Sequence, residues 1–547
     1  MIDMKKGSVI RHHVSKIGRG TGAIAASFAL TLSAGCVAGP ETREDDAVDT
    51  ASAAFTLADL EASFTSSCGG SLPAGYSNGT CVVSGFTRTA VDAPNAIYEY
   101  AVDVQVGPGA HDVIGLHRVV KEISPYQPAA SSTAVMLVHG DAWPFRGAFL
   151  DTAQGNTFSA FLANNGVDVW GIDLRWTRVP AATADLSFMA SWGMAKDAQD
   201  LGVALSIART NRGKTGSNQL PLKLLGWSRG GQLGYAFLAQ ETTIPAAQRH
   251  VNGFIPVDIY LKPDLSTTEG VRERDAACAR LAADRAQYAD STRADRYYAN
   301  TGVLIATLGQ LGQIDPTGAS PIVAGLNNQQ AALLAGSQTF ALQGGLPPTP
   351  YYHWVGGTFD GFGLPTGVAY VSSTARWLAA ESQAAPYQPV QLLIDAEAAT
   401  CGDPASTIDA HLSSIAVPIL YVGARGGFGD SGLYTTTLLA SADVSSLVVS
   451  LTPDQLHDIG HSDVFLAQNA PSLFWNGILG WLKSPSPHCQ EDKECTLLRD
   501  EETCSCVAAP VGSTLPPSNA VCIADPCRGV TAACRNFTCV GISGEEM

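Results

Sequence analysis

Residues 221–240 read PLKLLGWSRGGQLGYAFLAQ and decide the fold. The apolar run at residues 221–226 predicts a strand, and residues 229–240 predict a helix that follows it directly. The letters GWSRG between them fit the pattern G-x-S-x-G. The segment therefore predicts a nucleophile elbow, a sharp strand-to-helix turn from which Ser228 projects at the carboxyl edge of a sheet.

The glycines of this pattern have a steric reason. Gly226 and Gly230 lie two residues before and two residues after Ser228, where a tight turn brings backbone segments close together. The helix N-terminus behind the serine offers unpaired N–H groups and the positive end of a dipole, which suit a developing oxyanion. The alternative is a glycine-rich connection in which Ser228 only caps the helix.

Apolar strand patterns alternate with helical patterns on both sides of this segment, which is typical of a mostly parallel sheet covered by helices on both faces. We predict eight strands, at residues 97–107, 112–121, 133–138, 167–174, 221–226, 251–258, 416–423 and 444–451. The predicted helices cover residues 153–165, 189–210, 229–240, 432–441 and 469–483. The fold class is therefore α/β.

A serine hydroxyl is a poor nucleophile near neutral pH, so the elbow requires a histidine base and an acid that orients it. His461 lies in the segment Gly-His-Ser-Asp after the last predicted strand, where the chain order serine, acid, histidine places the base. His457, four residues earlier, is the rival. The acid has two candidates, because Asp258 and Asp430 each follow a strand whose carboxyl end points toward Ser228. The usual position of the acid, after the seventh strand, favours Asp430, and Asp258 is the alternative.

Together these segments, from about residue 95 to residue 483, resemble the α/β-hydrolase superfamily. His139 and Gly140 follow the third predicted strand and resemble the family's HG segment. The resemblance implies a structural role for His139 and an oxyanion hole built from backbone N–H groups. The donors would be Asp141 or Ala142 on one side and Arg229 on the other.

Charge and length narrow the class of protein further. The chain has 547 residues, 46% of them hydrophobic, which is enough for a large core with additional segments. Its formal net charge is −17, so it repels phosphate backbones and a nucleic-acid partner is disfavoured.

The N-terminus resembles an export signal. A basic region precedes the apolar run TGAIAASFALTLSA at residues 21–34, which is too short to span a bilayer as a helix. The segment ending at Cys36 resembles a bacterial lipobox, so we expect a signal peptide at residues 1–35, lipidation of Cys36 and an acidic tether at residues 36–60. The expected location is the outer membrane. The alternative is cleavage near Ala34, which would release a free secreted protein.

Besides Cys36 the chain contains twelve cysteines, an even number that favours disulfides in an exported protein. We predict pairs between Cys68 and Cys81 and between Cys278 and Cys401. The remaining eight, whose pairing the sequence leaves open, are Cys489, Cys495, Cys504, Cys506, Cys522, Cys527, Cys534 and Cys539. They define a cysteine-rich module at residues 486–547, which has too little apolar content to fold without cross-links.

The hydrolase core is expected at residues 61–261 and 391–483, interrupted by a helical cap at residues 262–390. Aromatic residues of the cap are candidates for an apolar pocket, with packing inside the cap as the alternative. They are Tyr351, Tyr352, His353, Trp354, Phe359 and Phe362.

The predicted activity is hydrolysis of carboxylic esters, an esterase or lipase reaction that passes through an acyl-enzyme on Ser228. This mechanism requires neither a metal nor a cofactor. A serine peptidase on the same fold is the first alternative, because the motifs do not report the leaving group. An alternative of another class is an inactive hydrolase fold that binds a surface partner. The expected partners are an ester substrate, the membrane through the acyl anchor, and a surface or polymer contacted by the cysteine-rich module.

Overall fold

The computed structural model describes residues 55–68, 81–150, 156–343, 347, 349–486, 488–515, 522 and 524–543. The signal segment, Cys36 and most of the acidic tether lie outside these residues. Within them, no helix has both the length and the apolar character needed to cross a membrane.

Ten strands form the central sheet. They are β1 (Val82–Asp92), β2 (Ile97–Gln105), β3 (Val113–Ser124), β4 (Gln127–Pro128), β5 (Ala134–Val138), β6 (Asp168–Asp173), β7 (Leu222–Trp227), β8 (Val251–Val257), β13 (Ile419–Ala424) and β14 (Val444–Val449). Four short strands lie between β8 and β13: β9 (Tyr298–Ala299), β10 (Gly357–Phe359), β11 (Pro365–Val368) and β12 (Gln388–Pro389). Four more follow at the C-terminus: β15 (Cys495–Asp500), β16 (Ser505–Pro510), β17 (Val530–Arg535) and β18 (Thr538–Ser543).

The central sheet has the order β1-β2-β3-β6-β5-β7-β8-β13-β14, and β4 pairs with β3 at the side. Strands from β6 through β14 in this order are parallel, whereas β1, β2 and β3 are antiparallel to their neighbours. All eight predicted strands are present, and the sheet also contains β1 and β4, which the sequence did not predict. The predicted α/β-hydrolase fold, a mostly parallel sheet between helices, is confirmed.

Helices cover both faces of this sheet, and further helices lie in the chain between β8 and β13. In chain order the helices of the described residues are α1 (Leu57–Thr65), α2 (Phe145–Phe149), α3 (Phe158–Asn164), α4 (Met194–Lys214), α5 (Arg229–Glu241), α6 (Thr268–Ala289), α7 (Thr301–Ile314), α8 (Asn328–Ser337), α9 (Thr339–Leu342), α10 (Thr374–Glu381), α11 (Val390–Cys401), α12 (Ser431–Thr437), α13 (Asp463–Leu466) and α14 (Asn476–Lys483). The first residues of the predicted helix at 153–165 lie outside the described part of the chain. Its remainder is present as α3.

The core lies on both faces of the sheet because the side chains of each central strand alternate. Along β5, Met136 and Val138 pack into the apolar cluster under α4 and α5, whereas Val135 and Leu137 pack into the cluster under α3 and α14. Every residue of β5 is buried. This double burial explains why the strand appears in the sequence as a continuous apolar run.

The chain between β8 and β13 contains α6 through α11, of which α6 through α10 lie within residues 262–390, where the sequence predicts a cap. The disulfide Cys278–Cys401 joins α6 to α11, and Cys68–Cys81 is also formed, so both predicted pairs are confirmed. Because α11 begins at Val390, it starts at the predicted cap boundary and is held against a cap helix by this cross-link.

The described part of residues 486–547 contains two hairpins, β15–β16 and β17–β18. Its pairs, which the sequence left open, are Cys489–Cys534, Cys495–Cys539, Cys504–Cys522 and Cys506–Cys527. Six disulfides in the described chain indicate folding in an oxidising compartment, as is typical of extracellular proteins.

Candidate active site

Ser228 occupies the turn between β7 and α5 with a strained backbone. Its φ of 54° and ψ of −125° are rare for a residue with a side chain and are the geometry of a tight strand-to-helix turn. A Cβ on Gly226 would lie 2.2 Å from the carbonyl oxygen of Gly230, and a Cβ on Gly230 would lie 2.4 Å from that of Val138. Only glycine fits at these two positions, which is the steric reason that the sequence pattern suggests.

His461 lies in the loop between β14 and α13, and its side chain is only 3% exposed. Its Nδ1 atom lies 2.6 Å from Oδ2 of Asp258. The imidazole stacks on the indole of Trp227, the residue before Ser228, with ring centroids 5.1 Å apart. Ser228 and His461 line the same cavity. The chain therefore brings the elbow serine, this histidine and an acid to one edge of the sheet.

Asp258 follows β8 directly and is fully buried. Its backbone has a φ of 49°, a left-handed conformation that aspartate tolerates better than most residues. Its carboxylate accepts backbone N–H groups from Ala424, Phe428 and Gly429 at 2.8–3.2 Å, in addition to the histidine. These donors compensate for the burial of the carboxylate and fix its orientation.

The structure does not place Asp430, the favoured acid, beside His461. Asp430 is exposed at the start of α12 and its side chain makes no capping hydrogen bond there. The reason is the local turn: the glycine-rich residues 425–429 fold back onto Asp258, so that their N–H groups face the site and Asp430 lies beyond it. The expectation about the acid is therefore corrected to the alternative, Asp258.

The rival histidine also lies elsewhere. The His457 side chain is 49% exposed and its Nδ1 faces Asp454 at 2.8 Å. Its ring contacts Phe359 edge to face. It does not line the cavity that contains Ser228.

The candidate oxyanion-hole donors lie on the two sides of Ser228. Ala142 follows β5 with a φ of 71°, and Arg229 is the first residue of α5. In the described part of the chain, the backbone N–H groups of Asp141, Ala142 and Arg229 meet no acceptor. Free N–H groups of this kind are available to a developing negative charge.

His139 has the structural position that the resemblance implies. It is fully buried, and its Nδ1 donates to the carbonyl oxygen of Gly140 at 2.8 Å while its Nε2 accepts from the N–H of Leu174 at 3.1 Å. Burial lowers the pKa of this imidazole, which keeps it neutral. It thus ties the strand end before Gly140 to the end of β6.

The cavity at Ser228 has a volume of about 440 Å³, and two chemically different sets of side chains line it, which we call the aromatic wall and the polar wall. The aromatic wall consists of Trp143, Trp176, Trp227, Tyr260, Tyr352, Trp354, Tyr387 and Phe428. The polar wall consists of Asp141, Arg229, Gln232, Arg280, Asp284, Gln388 and Glu397. A cavity of this size, mostly apolar with a few placed polar groups, is typical of a small-molecule site.

Two of the cap aromatics that the sequence singles out reach this cavity. Tyr352 and Trp354 line it, and Tyr352 lies against His461 with ring centroids 5.4 Å apart. His353 instead is buried among backbone carbonyls, while Tyr351 and Phe362 are exposed. The aromatic cluster therefore divides between pocket, interior and surface.

Sequence reasoning singles out Asp141 and Arg229 only for their backbone N–H groups and missed the rest of the polar wall, whose members lie far apart in the chain. Glu397 on α11 contacts Arg280 on α6 at 3.0 Å and Arg229 at 3.8 Å. Asp284 is partly buried, and burial together with the nearby Glu397 raises its pKa to about 6. No local pattern marks these residues, because only the packing of α6 and α11 brings them to Ser228.

One group among the described residues has the spacing of metal ligands. The Sγ atoms of Cys489, Cys495 and Cys534 lie within 4.8 Å of one another. All three belong to disulfides, so they lack the thiolate that a metal would bind.

Comparisons with known proteins give a likeness in fold only. No family model and no curated protein matches the chain. A Sulfolobus solfataricus protein provisionally assigned as a lipase is 17% identical, with a TM-score of 0.44 over 73% of this chain and 99% of that one. A monoglyceride lipase from Saccharomyces cerevisiae is 14% identical, with a TM-score of 0.37 over 75% and 98%. The esterase LipA from Xanthomonas oryzae is 11% identical, with a TM-score of 0.35 over 74% and 97%. At these values the likeness does not bear on the activity of this chain.

Proposed function

We propose that this protein is an exported serine hydrolase that cleaves carboxylic esters through the triad Ser228, His461 and Asp258. The observation that carries the proposal is the 2.6 Å contact between His461 Nδ1 and the buried Asp258 carboxylate, at the same cavity as the strained Ser228. A neutral histidine that donates from Nδ1 presents an unprotonated Nε2, which is the form that accepts a serine proton.

The reaction follows from these positions. Nε2 of His461 takes the Ser228 hydroxyl proton as Oγ attacks the ester carbonyl carbon, and the carbonyl oxygen becomes an oxyanion. When the intermediate collapses, the C–O bond to the alcohol breaks and the imidazolium returns the proton to that alcohol. Water then attacks the acyl-enzyme with His461 as its base, which releases the carboxylic acid and restores Ser228.

The oxyanion would be held by backbone N–H groups of Arg229 and of Asp141 or Ala142. Both sides are available, since these groups have no acceptor within the described chain. Removing one such donor in a serine hydrolase costs about 100- to 1,000-fold in kcat. The positive end of α5 points to the same place and adds to the stabilisation.

The aromatic wall favours the binding of an ester that has a bulky apolar or aromatic part. Trp227, Tyr352 and Phe428 surround His461, with ring centroids 5.1–5.5 Å from the imidazole. These side chains exclude water from the base and offer flat apolar surfaces to the substrate. Esters of short, fully polar acids would leave this wall without contacts.

Export and anchoring are part of the proposal. We propose that residues 1–35 are removed, that Cys36 is lipidated at the outer membrane, and that the acidic tether separates this anchor from the core, its cap and the cysteine-rich module. Mass spectrometry of the mature N-terminus tests this directly. An unmodified N-terminus at another residue would favour a free secreted protein.

Labelling with a fluorophosphonate probe tests the triad. The probe is expected to modify Ser228 of the disulfide-intact protein, and the Ser228→Ala and His461→Ala variants should lose this labelling, since the reaction requires the serine and the base that activates it. His457→Ala is the matched control and should label like the wild type, because His457 lies outside the cavity.

The outcomes separate the candidates. Labelling at Ser228 followed by turnover of esters but not of peptides would support the proposal. Turnover of peptides alone would favour a peptidase. A folded protein without any labelling would contradict the triad and favour an inactive binding protein.

A further inference from the structure

We propose that the Asp141 carboxylate is a positioning group that fixes the two halves of the oxyanion hole relative to each other, with Arg229 and Gln388 as its partners. The inference rests on the proposed function, because it concerns the donors that serve the Ser228 acyl transfer. It assigns roles to side chains on the polar wall that the triad does not use.

The first observation is an ion pair between the two donor-bearing residues. Nε and Nη2 of Arg229 donate to the Asp141 carboxylate at 3.1–3.3 Å. The backbone N–H of Arg229 forms one side of the candidate oxyanion hole, and that of Asp141 or Ala142 forms the other. The side chains thus link two backbone segments, the end of β5 and the start of α5, whose separation determines whether both donors reach one oxygen atom.

The second observation is a set of hydrogen bonds between three consecutive residues of the β5 loop and the chain from α10 to β12. Gln388 Nε2 donates to Asp141 Oδ1, the N–H of Ala385 donates to the Ala142 carbonyl oxygen at 2.5 Å, and the Trp143 indole donates to the Ala380 carbonyl oxygen at 2.7 Å. The loop that carries one oxyanion donor is therefore held from the side of the cap as well as from α5.

The conformation of this loop needs such support. Ala142 has a φ of 71°, which is strained for a residue other than glycine and persists only where the surroundings enforce it. The Asp141 side chain is 37% exposed, so its ion pair adds little to global stability. Because Asp141 directly precedes Ala142, we expect its ion pair to act mainly on the conformation of the loop that carries the oxyanion donor.

Arg229 remains anchored when Asp141 is replaced. Its Nη1 donates to Gln232 Oε1 at 2.5 Å and its Nη2 lies 3.8 Å from Glu397. An Asp141 variant is therefore expected to loosen the β5 loop, which keeps its bonds to Ala385 and Ala380, while α5 stays in place. This makes the effect on the oxyanion hole separable from damage to the nucleophile elbow.

The test compares Asp141→Ala, Asp141→Asn and Gln388→Ala with the matched control Gln383→Ala. Gln383 lies between α10 and β12 as well, but its side chain donates back to Ala379 of α10 and not to the β5 loop. For each full-chain protein, kcat and KM are measured on one aromatic ester, together with the Ki of an aryl trifluoromethyl ketone. The ketone forms a tetrahedral adduct whose oxyanion occupies the hole, whereas KM reports substrate binding mainly through the cavity walls.

Because a misplacement of about 1 Å in an active site can cost about 100-fold, we expect Asp141→Ala to lower kcat about 10- to 100-fold and to raise the ketone Ki by a similar factor. KM should stay within about twofold, since uniform binding is not altered. Asp141→Asn keeps an acceptor for its partners and should fall between Asp141→Ala and the wild type. Gln388→Ala should lower kcat about 3- to 10-fold, and Gln383→Ala should match the wild type.

A rise in KM with unchanged kcat and ketone affinity would overturn the inference and identify Asp141 as a substrate contact. Unchanged kinetics in all three variants would also overturn it. If Asp141→Ala does not fold, Asp141→Asn and Gln388→Ala carry the same comparison with milder changes. A wild-type protein that neither turns over esters nor binds the ketone would instead contradict the proposed function itself.

Discussion

The loops after β8 and β13 follow two neighbouring parallel strands. Each loop contains an aspartate, but only the loop after β8 brings its carboxylate to His461. Asp258 contributes its side chain directly after β8. The β13 loop contributes backbone instead: the N–H groups of Ala424, Phe428 and Gly429 hold that carboxylate. One acid position in this site is therefore built by two loops, one supplying the charge and the other the N–H donors that hold it.

The difference arises from backbone freedom. The β13 loop contains Gly426, Gly427 and Gly429, and a Cβ on Gly427 would lie 1.9 Å from Oδ2 of Asp258. Gly429 has a φ of 51°, which lets the turn close over the carboxylate. Side chains at these positions would hold the loop away from Asp258. Its N–H groups would then lie too far from the Asp258 carboxylate to donate to it.

The largest expected effect distinguishes the two aspartates directly. Asp258→Asn should lower kcat about 10,000-fold, because an amide in this place favours the wrong tautomer of His461. Asparagine tolerates the left-handed backbone and keeps an oxygen for the β13 loop, so the variant should fold. The measurement is ester turnover beside the thermal unfolding midpoint. Asp430→Asn is the matched change in the other loop and should stay within about twofold of the wild type, as expected for an exposed polar substitution.

The reverse pattern, with Asp430→Asn inactive and Asp258→Asn active, would show that the loops exchange roles in solution. Equal losses in both variants would mean that Asp430 orders the β13 loop strongly enough to control the site from its surface.

A smaller effect is expected when the donor loop rather than the acid is changed. Gly427→Ala introduces a methyl group where Oδ2 of Asp258 lies, so the loop must move and loosen its hydrogen bonds. Since a small misplacement of a catalytic group costs up to about 100-fold, we expect kcat to fall about 10- to 100-fold. Gly361→Ala is the control, because a Cβ there meets nothing within 4 Å. Equal activities of the two variants would argue that the β13 donors are dispensable.

The same two loops show how far sequence reasoning reaches. Strand patterns predict the sheet because both faces of the parallel strands are buried, and the GWSRG spacing predicts Ser228 because the turn requires glycine at fixed offsets. His461 follows from chain order. The acid does not, because both strand-end carboxylates fit the chain order, the usual position favours Asp430, and the choice depends on how residues 425–429 turn. The polar wall depends on the packing of α6 and α11, for which the sequence contains no local signal.

The third loop, after β14, extends the comparison with a carboxylate that is structural. Asp463 is fully buried two residues after His461, and its Oδ2 accepts the N–H groups of Gly356 and Gly460 at 2.8 Å and 2.7 Å. Burial raises its pKa to about 7 in spite of these two hydrogen bonds. A carboxyl group with a raised pKa favours the folded state fully only below its ordinary pKa near 3.8, and this contribution is lost as the pH rises to about 7.

Asp463→Asn should therefore become more stable relative to the wild type as the pH rises, because asparagine keeps the accepting oxygen and carries no charge. Linkage gives an increase of about 2–3 kcal/mol in the difference of unfolding free energy between the variant and the wild type from pH 5 to pH 8.

Other buried carboxyls with raised pKa values, such as Glu241 and Glu273, are present in both proteins and cancel in the comparison. Urea unfolding at the two pH values measures this difference. Ester turnover is expected to stay within about fivefold, since the Asp463 carboxylate accepts backbone N–H groups of Gly356 and Gly460 rather than a proton from His461. A stability difference that does not change with pH would show that Asp463 is not protonated in the folded protein near neutral pH. A loss of activity as large as that of Asp258→Asn would instead place a second acid in the machinery of His461.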